Sequence, residues 1–159
     1  MNEAKIAALF VQPDGCYAHL ECIDAWPESR DARLYDGLLP VVAHPPCQLW
    51  GAMAAVNYAR WGGEHNRPGN DAGCFASALV SVRRCGGVLE HPAKTKAWAA
   101  HWLEKPVGIG WKKTPDGGWV CEVWQAHTVI EPIKRRGYII SAASLLLICY
   151  GVGQSELIK

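Results

Sequence analysis

A chain of 159 residues, half of them apolar, has enough material for one well-buried core and too little for two independent domains. Its formal net charge of +1 excludes a global field that draws it onto nucleic acid. Any such contact has to come from local cations such as Arg60, Arg67, Arg83 and Arg84, and scattered cations are also what any protein surface carries. The seven cysteines are odd in number, contain no Cys-x-x-Cys pair and follow no secretory signal, so a reducing, cytoplasmic compartment is expected rather than a disulfide framework or a zinc site.

Ile6 to Val11 is a continuous apolar run closed by Pro-Asp-Gly, the pattern of a strand buried on both faces. Glu21 to Trp26 suits a second short strand, and Ser29 to Tyr35 a helical turn or two. Leu38 to Ala43, LLPVVA, reads as a buried strand running into His44-Pro45-Pro46-Cys47, where two prolines end the ladder and stiffen the turn. Asn57 to Asp71, rich in Gly, Arg, Asn and Pro, has the composition of a surface loop. Asp71 marks a helix start, with Phe75, Leu79 and Val82 on one face, Arg83 and Arg84 in the last turn and Gly86-Gly87 as terminators. Val88 to Pro92 is another strand stopped by proline. Thr95 to Leu103 reads as a helix with Trp98 and Trp102 four apart on one side, a Gly- and Pro-rich loop follows, and Trp119 to Gln125 alternates as an outer strand. Tyr138 to Val152 is the most apolar stretch, yet it falls short of the ~20 residues that cross a bilayer. This order predicts an α/β fold, a compact Rossmann-like, mostly parallel sheet with flanking helices, whose ligands gather at the carboxyl ends of the strands.

Both proline-terminated turns fall at those ends and carry reactive groups. Cys47, just past a buried strand and braced by Pro45 and Pro46, is held in a fixed direction, as a nucleophile must be. Most free cysteines are simply small buried hydrophobes, and the other six are expected to be so. Glu90 emerges at the end of the strand from Val88 to Pro92. A carboxyl in a partly dry pocket keeps its proton more readily and can then donate to a ring nitrogen, but Glu90 could equally cap the next helix or pair with an arginine. Asp24 could hold a ribose hydroxyl or merely end a strand.

VVAHPPCQLWG resembles the motif that carries the catalytic thiol of cytosine-C5 DNA methyltransferases, and GGVLEHP resembles the motif in which those enzymes present a glutamate. The resemblance implies a methyltransferase-type sheet, with Cys47 attacking C6 of cytosine and Glu90 holding N3, so that C5 accepts a methyl group from S-adenosylmethionine. Pro46, Gln48 and His91 would then border the base, Asp24 the cofactor, and the base would be flipped out of its duplex. A closer similarity is to small phage and prophage proteins sharing the runs ALFV, RDARLY, PVVAHPPC and GGVLEHP, over roughly residues 7–125.

Several features depart from that pattern. VQPDGCY follows the first strand where the family has a Gly-rich cofactor loop, His91 replaces an asparagine, and no target-recognition domain is present. The division expected is 1–126 as the methyltransferase-like domain and 127–159 as a divergent tail packing on or completing the sheet. HTVIEPIKRRGYI and the HGHRANKATWLY of the relatives can be encoded by one DNA string in neighbouring frames, so residues from about His127 onward are expected to be a frameshifted tail. The apolar Ile139 to Cys149 run within it could still form a strand or helix. Other readings stay open. A zinc deaminase needs a second cysteine where this chain has Trp50. A cysteine hydrolase could use His44, His91 or His127 as its base. A catalytically degenerate fold could bind DNA or a host defence protein through Trp50, Trp61, Trp98, Trp102 and Trp111.

Overall fold

The computed structural model describes residues 5–105, 110–124 and 144–150. Among them, seven strands form one sheet: β1 (Ile6–Leu9), β2 (Ile23–Trp26), β3 (Val41–Ala43), β4 (Gly87–Pro92), β5 (Lys112–Lys113), β6 (Trp119–Trp124) and β7 (Ser144–Tyr150), in the order β2-β1-β3-β4-β7-β6-β5. The first four pair in parallel. β7 enters antiparallel to both β4 and β6, and β5 is antiparallel to β6, so half of the pairings are antiparallel. The result is a mixed α/β fold with a four-stranded parallel sheet flanked by helices, consistent with a Rossmann-like fold. The described part of the Ile139–Cys149 run is strand β7. The rest of the expected frameshifted segment up to residue 143, and residues 151–159, lie outside the described residues. Among the described residues, no helix is long and apolar enough to cross a membrane.

Among the described residues, the α-helices are α1 (Met53–Trp61), α2 (Cys74–Cys85) and α3 (Ala97–Ala100). α2 closes the core: Phe75, Ala78, Leu79 and Val82 on its inner face pack with Leu9, Val41, Ala43 and Leu89 of the parallel strands. Asp71 sets where this helix begins, although the first helical residue is Cys74 rather than Asp71 itself. Its carboxylate accepts the backbone N–H groups of Gly73 and Phe75 at 3.0 and 2.8 Å, groups a helix start leaves without an intrahelical partner.

Several expectations are corrected. β3 starts at Val41 because Pro40 has no N–H for the ladder, and Leu38 is left 84% exposed. β1 stops at Leu9 because Phe10 takes a positive φ of 59° and turns the chain away. The first five residues of the expected 57–71 loop belong to α1. The helix expected over Thr95–Leu103 is only Ala97–Ala100, because Trp102 adopts φ 57°. Trp98 is therefore buried at 1% exposure while Trp102 stands 94% exposed, so the two do not share a face. Cys16 and Cys22, expected to be buried, are exposed.

Candidate active site

β1 leads towards β2 on one side, whereas β3 leads through α1 and α2 to β4 on the other. The carboxyl ends of the neighbouring strands β1 and β3 therefore diverge, and a crevice opens between their exit loops. It is a cleft of about 890 Å³, of the size that takes a small molecule or cofactor. Residues 10–12 line it after β1, Pro27, Glu28 and Asp31 after β2, His44 to Gln48 after β3, and Glu90 to Pro92 at the end of β4.

The Cys47 turn is held from beneath. Pro45 is buried, Pro46 and Gln48 are exposed, and Cys47 is half-buried, with its carbonyl accepting the N–H of Trp50 at 3.0 Å. Trp50 anchors the turn. Its carbonyl accepts Lys96 N–H at 3.0 Å and Thr95 Oγ1 at 3.3 Å, and its indole donates to Asp71 Oδ2 at 2.9 Å. One carboxylate thus caps α2 and fixes the indole below the thiol turn. Asp71→Ala is expected to lower stability by about 2 kcal/mol, as the lost cap adds to a half-buried indole N–H left without an acceptor. A fall in the urea midpoint at unchanged slope measures it.

Glu90 reaches the cleft through strand register. Ala43 pairs with Leu89, so the next pair brings His44 beside Glu90, and His44 Nδ1 lies 3.3 Å from Glu90 Oε2. Both side chains are a little under one-third exposed. The other imidazole nitrogen, Nε2, is 2.8 Å from the Tyr17 hydroxyl. Burial, then the neighbouring Cys16 and Glu90, push the Tyr17 hydroxyl above its ordinary pKa. Tyr17 sits in the loop after β1, whose tight turns from Gln12 to Leu20 fold it back over β3.

Of the residues expected at a site, Cys47, Pro46, Gln48 and Glu90 border this one cleft. His91 touches its edge but is 1% exposed, so it presents almost no surface to a bound base. Its ring meets Phe75 and Trp98 edge-on, and Nε2 lies 3.5 Å from the carbonyl of Pro46. Burial pulls its pKa down to about 4 against the opposing pull of the Pro46 carbonyl and Asp71. Asp24 is not among the cleft residues. Its carboxylate takes Arg30 at 2.6 Å and the Trp26 indole at 2.8 Å, and although burial raises its pKa these two bonds hold it below the ordinary value. Of the tryptophans expected to form a contact surface, Trp50 and Trp98 are core.

Sequence reasoning missed Tyr17, Glu28, the Asp31–Arg33 pair and Cys74. Arg33 donates to both carboxylate oxygens of Asp31 at 2.7 Å and to the Ala72 carbonyl at 3.1 Å, tying the β2 exit to the approach of α2. Cys74 is a second thiol on the cleft, and burial, followed by Asp71, raises its pKa and disfavours the thiolate. The RDAR string carried a signal for the ion pair, whereas Tyr17 had none short of the three-dimensional turn. Comparison with protein-family models, with curated proteins and with solved structures found no match.

Proposed function

We propose that this chain is a cytosine-C5 DNA methyltransferase-like protein of the phage type, acting on a base through Cys47 and Glu90. The observation that carries the reading is that thiol and carboxylate, each delivered just beyond or at the end of neighbouring parallel strands, border the same open cleft. The reversed strand β7 between two strands of common direction supports a methyltransferase-type sheet. In this mechanism Cys47, as its thiolate, adds its sulfur to C6 of a cytosine. The electron pair of the C5–C6 double bond moves towards the C4–N3 unit, Glu90 in its protonated form gives its proton to N3, and C5 becomes electron-rich. The target base reaches the cleft only when swung out of its stack.

S-adenosylmethionine would supply an electrophilic methyl group. Phe10, Val11, Gln12 and Glu28, which line the cleft beyond β1 and β2, would be the residues to hold it, Asp24 being engaged elsewhere. Incubation with labelled S-adenosylmethionine and DNA of mixed sequence tests the reading. Label should enter DNA and fall by at least about 1,000-fold in Cys47→Ser, since a serine hydroxyl is a far poorer nucleophile near neutral pH. An unlabelled wild-type reaction, or a fully active serine variant, refutes it.

A second reading, a degenerate fold that binds DNA or a host defence protein, draws support from α1. This helix follows the thiol turn directly and exposes Met53, Val56 and Trp61, with the Arg60 guanidinium 5.0 Å from the Trp61 ring. DNA or protein binding that survives Cys47→Ser without cofactor affinity distinguishes it.

A further inference from the structure

We infer that Tyr17 and His44 form a positioning device for Glu90: His44 donates from Nδ1 to Oε2 and so leaves the other carboxyl oxygen to the substrate base. The inference rests on the base-activating reading of Cys47 and Glu90 and names two residues that the motifs leave without a role.

The starting points are two distances on one imidazole, 2.8 Å from Nε2 to the Tyr17 hydroxyl and 3.3 Å from Nδ1 to Glu90 Oε2. With the transferable proton on the oxygen that faces the base, Oε2 of Glu90 only accepts, so a productive contact requires the proton of His44 on Nδ1. In the neutral ring Nε2 is then a lone pair, and Tyr17 O–H is its donor. Because burial and its neighbours make the tyrosine hold its proton firmly, it stays a donor through the neutral range. Tyr17 as donor is therefore compatible with the tautomer that serves Glu90 and holds the ring in place, as a third group orients the base in other catalytic trios. The tilted stacking of the two rings, 5.5 Å between centroids, adds a steric restraint on the imidazole.

The device acts at one moment of the reaction. When the Cys47 sulfur bonds to C6 and the proton leaves Glu90 for N3, the carboxyl becomes a carboxylate. The Nδ1 edge of His44, 3.3 Å from Oε2, is close enough for its N–H to turn onto that charge and stabilise it. His44 does not touch the reacting atoms and is a positioning residue. Its location is dictated by the sheet, because β3–β4 register puts residue 44 beside residue 90 three residues ahead of the thiol.

The test needs no cofactor. Reversible addition of Cys47 to C6, with protonation at N3, makes C5 exchange its hydrogen with water: a solvent proton adds at C5, the original hydrogen leaves, and the thiolate departs. Release of tritium from DNA carrying [5-³H]cytosine reads this step directly. In His44→Ala the exchange rate at saturating DNA should fall about 30- to 100-fold, with the half-saturating DNA concentration within about two-fold of wild type. His44→Asn, whose side-chain amide N–H can occupy the place of Nδ1–H, should recover most of that loss. Tyr17→Phe should fall about three- to ten-fold. Circular dichroism on each variant confirms that the fold is retained. A wild-type rate in His44→Ala, or a folded His44→Asn as slow as the alanine variant, overturns the positioning role while leaving Cys47 and Glu90 in place. Absence of exchange in the wild type, or exchange unaffected by Cys47→Ser, instead removes the base-activating reading and this inference with it.

Discussion

Gly87→Ala should leave no cooperatively folded protein at ambient temperature. Gly87 opens β4 at φ 125°, a conformation L side chains rarely adopt, and pairs with Val41 of β3. A Cβ there would lie 1.9 Å from the Val41 carbonyl oxygen and 2.6 Å from its nitrogen, both backbone atoms that have no rotamer to turn away. The only relief is to separate β3 from β4, which breaks the sheet at its centre and parts the strand that leads to Cys47 from the one that bears Glu90. A cost above about 4 kcal/mol is expected, comparable with the whole stability of a small domain. Gly73→Ala is the matched control. Gly73 has φ 80°, but nothing lies within 4 Å of an added Cβ, so backbone strain alone should cost about 1–2 kcal/mol. Near-UV circular dichroism and urea melts of the pair measure the difference, and a Gly87→Ala midpoint equal to that of Gly73→Ala would show that β3 and β4 are not tightly paired.

Acidification should destabilise the fold between about pH 6.5 and pH 4 through His91. Its native pKa, about 4, lies below the ordinary 6.5 of histidine, so over this interval the unfolded chain binds a proton that the native state refuses. Stability from the neutral imidazole is therefore complete above pH 6.5, falls as the pH drops towards 4, and levels off once the native ring also charges. A shift of this size corresponds to about 3 kcal/mol. Among the described residues, His91 Nδ1 is buried without a hydrogen-bond partner, so none of them softens at that atom the penalty of charging it. His91→Leu should be weaker than wild type at pH 7, since the Pro46 carbonyl loses its neighbour, and should lose most of the pH dependence in this window. Thermal midpoints of both proteins from pH 7.5 to pH 4 decide it. Equal slopes would mean that another group carries the acid sensitivity.

The strands that matter were readable because VVA and VLE are apolar runs ended by proline, and a buried parallel strand shows itself in that way. The mutual arrangement of the turns was only half readable. That Cys47 and Glu90 lie at one edge follows from parallel crossovers, but the pairing of His44 with Glu90 depends on register, which no local pattern fixes. The burial of His91 follows a rule the sequence does contain: successive side chains of a strand point to opposite faces, so a Glu90 turned to the cleft sends His91 towards the core. Asp24 stands out in the sequence as the acid near the end of the second strand, which ends two residues beyond it. The helical turn expected from Ser29 onward is present at Glu28–Arg30, but that it brings the Arg30 guanidinium back onto Asp24 no local pattern reveals. α1 went unseen because Met53, Val56 and Trp61 face solvent, so the apolar residues trace no inward stripe. Phe10 and Trp102 end their elements by positive φ at bulky residues, where a glycine would have announced the break.

The insertion of β7 between β4 and β6 has a bearing on how the protein is made. On the ribosome, β1 to β4 emerge with the thiol and the carboxylate already translated, yet one whole margin of β4 has only bare amide and carbonyl groups until Ser144 to Tyr150 follow. During that interval the nascent chain is open to mispairing with its neighbours, and chaperone capture at this stage is the natural safeguard. Biosynthesis thus delivers the reactive groups early and the strand that covers the edge of β4 late.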